Sequence, residues 1–156
     1  MAEFQLGSIS TGTLRTEDLL PAFAYTLGAL AHNPISNTSV FKSESMAEIW
    51  QGAIDIINTP DDIHLDIHEV IDELQDALQE YCPTFVYFGT LEGDGADFGF
   101  WVDRDGLDEA LTQHDVPDPD RDGCQVLEDD GVIVQVSDHG NVTVMDLEKN
   151  VIWSVV

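Results

Sequence analysis

The sequence predicts an α+β fold: N-terminal helices packed on a C-terminal antiparallel β-meander, with residues 1–156 as a single domain. Two observations carry this expectation. Apolar residues recur at helical spacing from about residue 16 to residue 81, and from residue 84 onward they give way to short β-branched and aromatic runs. No internal repeat and no long linker interrupts that order, and 156 residues with 43% hydrophobic content suffice for a core.

Residues 1–15 read as irregular or strand-like. Thr16, followed by Glu17 and Asp18, begins a first helix with acids at the positive end of its dipole. Pro21 falls early in it, and His32-Asn-Pro34 ends it. Residues 33–44 form a polar loop. Ser45-x-x-Glu48 has capping-box spacing and opens a second helix, MAEIWQGAIDII. Thr59 as N-cap, Pro60 at the first helical position and Asp61 and Asp62 in the first turn open a third helix, which runs to about Tyr81 before Cys82-Pro83 stops it.

The strands expected are TFVYFG, FGFWV, VIVQVS, VTVMD and VIWSVV, with a short helix over LDEALTQH at 107–114. In GDGADFGFW, Gly93 and Gly95 supply the permissive dihedrals of a hairpin. Asp138-His-Gly-Asn141 and Leu147-Glu-Lys-Asn150 are the other hairpin connections.

Charge is the dominant feature. Thirty-one acids against five Lys and Arg give a net charge of −26. Such a chain repels nucleic acids and anionic membranes and attracts cations or proteins with basic surfaces. Residues 1–60 hold six acids and two bases, so −22 of the total falls on residues 61–156. No apolar run reaches the ~18 residues of a membrane span, and the N-terminus lacks the basic and apolar regions of a secretion signal. Cys82 and Cys124 are the only cysteines and read as reduced thiols of a cytosol.

The third helix concentrates this charge. Ile63, Ile67, Val70, Ile71, Leu74, Leu78 and Tyr81 form its core face. Asp62, Asp66, Glu69, Glu73, Asp76 and Glu80 step by four and three residues along a second stripe, and no Lys or Arg interrupts residues 61–80. At ~1.5 Å per residue that stripe would run about 27 Å. Like charges at i,i+4 destabilise a helix by about 0.2–0.5 kcal/mol per pair, so an uninterrupted row forgoes stability. The bland account is a solvated face on an acidic protein; the functional one is a row of phosphate-like charges. His64, His68 and Asp72 also share a face of this helix, but without an HExxH pattern they read as polar residues flanking the core stripe, and no metal or other cofactor is expected.

DPDRDGCQVLED matches a calcium-loop spacing, with Asp118, Asp120, Asp122, Gly123 and Asp129 at the key positions. Asp at the twelfth position is shorter than the usual Glu, and a strand follows where an exit helix belongs. Asp94, Asp97, Asp138 and His139 would make a carboxylate–imidazole site if the fold gathered them. No P-loop, GxSxG or nucleophile arrangement is present, and no enzymatic activity is expected.

Two stretches, STGTLRTEDLLPAF at 10–23 and YFGTLEGDGADFGFW at 87–101, followed by VSDHGNV and WSVV, resemble a family of short bacteriophage- and prophage-encoded proteins without an established activity. The resemblance spans most of the chain and implies a phage setting and a host cytoplasm. Taken with the charge, the expectation is an acidic inhibitor of a host nucleic-acid-binding defence protein. It would act as a mimic of the phosphate backbone through the helix stripe and through Asp118, Asp120 and Asp122, without binding nucleic acid or membrane itself. The alternatives are an acidic cytosolic protein adapted to a salt-rich cytoplasm, and a calcium-binding module.

Overall fold

A computed structural model describes residues 2–33, 35–61, 66–113 and 123–156. Among these lie four helices, α1 (Thr16–Leu30), α2 (Glu44–Asn58), α3 (Ile67–Glu80) and α4 (Arg104–Gln113). The strands are β1 (Gly7–Ser10), β2 (His32–Asn33), β3 (Thr38–Ser39), β4 (Val86–Leu91), β5 (Asp94–Val102), β6 (Cys124–Leu127), β7 (Val132–Val136), β8 (Val142–Asp146) and β9 (Val151–Val155). Sheet orders are β1-β5-β4, β2-β3 and β6-β7-β8-β9. The fold is α+β, with helices mainly in the N-terminal half. The chain sorts into a helical unit, residues 8–82 and 88–99, and a sheet unit, residues 1–7, 83–87 and 100–156.

In the helical unit α1, α2 and α3 pack pairwise. Phe23 of α1 is fully buried and meets Phe88 and Phe98 edge-on, with ring centroids 5.1 and 5.3 Å away. Trp50 of α2 donates its indole N–H to the Ala24 carbonyl of α1 at 3.0 Å. Beside it, a Cβ built on Gly28 would lie 2.9 Å from Trp50 Nε1. Gly28→Ala should therefore lower stability by about 1–3 kcal/mol through overpacking, although Ala is the better helix former by about 1 kcal/mol. A urea melt of the variant measures this, and a gain in stability would show that Trp50 gives way freely.

The first helix starts where expected, and the next two do not. α1 begins at Thr16 itself, with Arg15 as its N-cap, while Thr13 Oγ donates to the Asp18 carboxylate at 2.7 Å. Ser43, two residues before the expected Ser45, caps α2 by accepting from Met46 N at 3.2 Å. Thr59 does not open the third helix: it closes the second, its N–H and hydroxyl donating to the Asp55 carbonyl at 2.9 and 2.8 Å. The described part of the third helix starts at Ile67 under Asp66, whose carboxylate accepts from His68 N at 2.9 Å. Asp66 stands three residues before Glu69, as an N-cap stands before N3 in a capping box. Asp66 wins because the apolar period of α2 carries on through Asn58, leaving Thr59 at a C-terminus.

The sheet unit centres on the meander β6-β7-β8-β9, antiparallel throughout. Alternation places Leu127, Val134, Val144 and Trp153 on one face, each fully buried. The opposite face is buried too: Cys124, Ile133 and Met145 cluster there, with Val126 packed against them. Burial on both faces explains why VIV in β7 runs apolar without alternating. Strand β6 is absent from the strands that the sequence predicts, where CQVL falls inside the calcium-loop spacing. Its register, Cys124↔Gln135 to Leu127↔Val132, makes it the edge partner of β7.

The hairpin turns fall as expected. Glu92 and Gly93 connect β4 to β5, with Gly93 at φ +88; Gly95 needs no positive φ and lies within β5. In the β7–β8 turn, Ser137 N donates to Asn141 O at 2.9 Å and Gly140 takes φ +81. In the β8–β9 turn, the Asp146 carboxylate accepts from Glu148 N, Asn150 N and Asn150 Nδ2 at 2.8–2.9 Å. Those bonds, led by the Asn150 side chain, hold the Asp146 carboxyl below its ordinary range.

Candidate functional site: the acidic face of the third helix

α3 buries Val70, Ile71, Leu74, Ala77 and Leu78, and its apolar period orients everything else on the helix. Gln79 fixes it further by accepting from the Phe88 amide of β4 at 2.9 Å. At 3.6 residues per turn, Glu69, Glu73, Asp76 and Glu80 fall within a band about 60° wide on the side away from the core. All four are exposed, as is Asp72 beside them. From Glu69 to Glu80 the band runs roughly 16 Å at ~1.5 Å per residue. Among the described residues no side chain pairs with Glu69, Asp72, Glu73 or Asp76, whereas Arg15 and Glu17 do form an ion pair, at 3.4 Å.

Asp66 continues the row at the N-terminal end but is engaged as the helix cap. Asp62 lies outside the described residues. At the other end the charges oppose the helix dipole, since Asp76 and Glu80 sit where a cation would be favoured. The cation comes from elsewhere in the chain: Lys42 Nζ donates to the Glu80 carbonyl and lies 4.6 Å over the Tyr81 ring. Sequence reasoning missed Lys42, and no local signal marks it, because 38 residues separate it from Glu80.

The other candidates are described only in part. Asp118, Asp120 and Asp122 lie outside the described residues, as does His64. Gly123 does take the positive φ, +82, that a calcium loop asks of its glycine. From there, however, β6 runs extended along β7 to Leu127, and Asp129 falls in the exposed turn beyond it, where a calcium loop would already have turned into its exit helix. Asp94 and Asp97 belong to the helical unit, Asp138 and His139 to the sheet unit. Among the described residues no three His, Cys, Asp or Glu side chains converge as a metal site.

Both cysteines are free thiols. Burial pushes the Cys82 thiol up to about 12, with Lys42 pulling weakly the other way. A raised value means that folding disfavours the thiolate. Its stabilising contribution is present below the ordinary value of 9.0 and is lost as pH climbs from there to about 12. At pH 8.5 the Cys82 peptide should alkylate at least about tenfold more slowly in the native protein than in urea. Equal rates, read by mass spectrometry, would show a reactive thiol.

Among the described residues no helix is long and apolar enough to cross a membrane. The chain matches no protein-family model, and neither curated proteins nor solved structures show a significant likeness to it.

Proposed function

We propose that this protein is a phage-encoded inhibitor that presents the acidic face of α3 to a basic nucleic-acid-binding protein of the host, such as a restriction, CRISPR or nuclease component. The mechanism is occupancy: carboxylates fill a groove that otherwise tracks phosphates. The observation that carries this reading is the row Glu69, Glu73, Asp76 and Glu80, exposed along one helix side with no basic residue interleaved. A basic groove gains much of its affinity from charge and counterion release, so it tolerates a row whose spacing only approximates that of a nucleic-acid strand. Asp118, Asp120 and Asp122, the other residues that the sequence proposes for partner binding, lie outside the described residues.

The test is a low-salt capture of partners from a bacterial host lysate on the tagged protein, eluted by a salt step and identified by mass spectrometry. One dominant nucleic-acid-binding protein, competed off by DNA, supports mimicry. A diffuse set of basic proteins, or none, sinks it.

A second reading has its own support. Exposed acids also crowd α4 (Asp105, Asp108, Glu109) and the β6–β7 turn (Glu128, Asp129, Asp130). A general acidic coat serves solubility in a salt-rich cytoplasm. A melting temperature that climbs steadily to molar KCl, with no captured partner, would favour it.

A further inference from the structure

Four consecutive residues fasten all three helices of the helical unit. Val40 N donates to the carbonyl of Ala31, the C-cap of α1, at 2.7 Å. The Phe41 ring packs on Trp50 of α2, centroids 5.4 Å apart. Lys42 grips the end of α3 three ways: its backbone N–H donates to the Tyr81 hydroxyl at 3.3 Å, its ammonium donates to the Glu80 carbonyl, and it sits over the Tyr81 ring. Ser43 then caps α2. Val40, Lys42 and Ser43 are themselves exposed. Three of these four attachments are neutral; the grip on α3 combines one neutral backbone bond with two contacts of a single positive charge.

We infer that residues 40–43 are a clasp whose hold on the C-terminal end of α3 is set by ionic strength through Lys42. An exposed ammonium at a helix C-terminus and over an aromatic ring is held by forces that salt screens. The rest of the chain responds oppositely. With a net charge of −26 its dominant electrostatic term is self-repulsion, which salt relieves. Salt therefore tightens the protein as a whole while it loosens this point. The consequence for Asp76 and Glu80, that their end of the acidic face is best ordered at the low ionic strength where a basic partner is steered most strongly, rests on the proposed function. The clasp does not.

Amide hydrogen exchange on the isolated protein tests it at Val40, Tyr81 and Cys82, whose N–H groups bond to Ala31, Leu78 and Gln79 carbonyls at 2.7, 3.1 and 3.1 Å. At about 50 mM KCl, Lys42→Met should speed exchange at these three amides on the order of tenfold, the size expected for losing a dipole contact together with a cation–π contact, and Lys42→Arg should restore most of it. Raising KCl to about 1 M should speed the same amides in the native sequence and leave those of Lys42→Met unmoved or slower, while the global melting temperature of both rises. Exchange in Lys42→Met equal to that of the native protein would overturn the inference. So would native amides here that slow with salt like the rest of the chain. Neither outcome bears on whether α3 binds a partner.

Discussion

Replacing Glu69, Glu73 and Asp76 with lysine is expected to abolish partner binding, weakening it about 100-fold or more, while leaving the fold intact or slightly stabilised. Each reversal removes an attraction and installs a repulsion, and three such changes at roughly 1 kcal/mol or more apiece multiply to that loss. The stability argument runs the other way. All three side chains are exposed and unpaired among the described residues, so reversal removes no contact, and its one cost is the place of Glu69 in the first helical turn, about 0.3–1 kcal/mol. Asp76→Lys also sets an ammonium four residues from Asp72 on one side and four from Glu80 on the other, and each such pair is favourable by about 0.2–0.5 kcal/mol. A variant that melts no lower than the native protein yet fails to bind localises the site to α3. The control reverses Glu128, Asp130 and Glu148, exposed residues in the turns of the sheet unit, for the same change in net charge. If the control loses as much affinity as the α3 variant, binding answers to total charge and the acidic face has no privileged role.

The acidic face was legible in the sequence because helix periodicity is a local property: once Val70, Ile71, Leu74 and Leu78 are assigned inward, Glu69, Glu73, Asp76 and Glu80 must point outward. The same logic made β4, β5, β7, β8 and β9 readable from their β-branched runs. Three of the places where it failed have a physical reason. Thr59 reads locally as the cap of the third helix, and only the continuation of α2 through Asn58 makes it a C-cap and leaves the capping to Asp66. Strand β6 is four residues long and lies inside an aspartate-rich stretch, so composition spoke for a loop while its register with β7 made it a strand. Lys42 acts on α3 across a separation of 38 residues, and no local pattern announces such a contact. Burial of both sheet faces was visible only faintly, in the unbroken VIV of β7, since a continuous apolar run also suits a strand that merely starts a core.

The largest loss of stability is expected at Trp153. Its side chain is fully buried on the sheet face that carries Leu127, Val134 and Val144, opposite Val144 in the β8–β9 register. Its indole N–H reaches the Thr84 carbonyl, 69 residues away in sequence, at 2.9 Å, and so ties the last strand to the segment just before β4. Trp153→Ala removes that bond and opens a cavity among residues already locked by their own strands. The expected destabilisation is about 3–5 kcal/mol, a large share of the roughly 5–15 kcal/mol that holds a domain together. Trp153→Phe separates the two effects: it keeps most of the buried ring but leaves the Thr84 carbonyl without its donor, for a loss of about 1–3 kcal/mol. Urea unfolding of both variants gives the ordering. Trp153→Ala at less than about 1 kcal/mol would show that the sheet closes over the gap and that the core is carried by its aliphatic residues alone. If Phe proves as harmful as Ala, the bond to Thr84, and not the packing of the ring, is what β9 contributes.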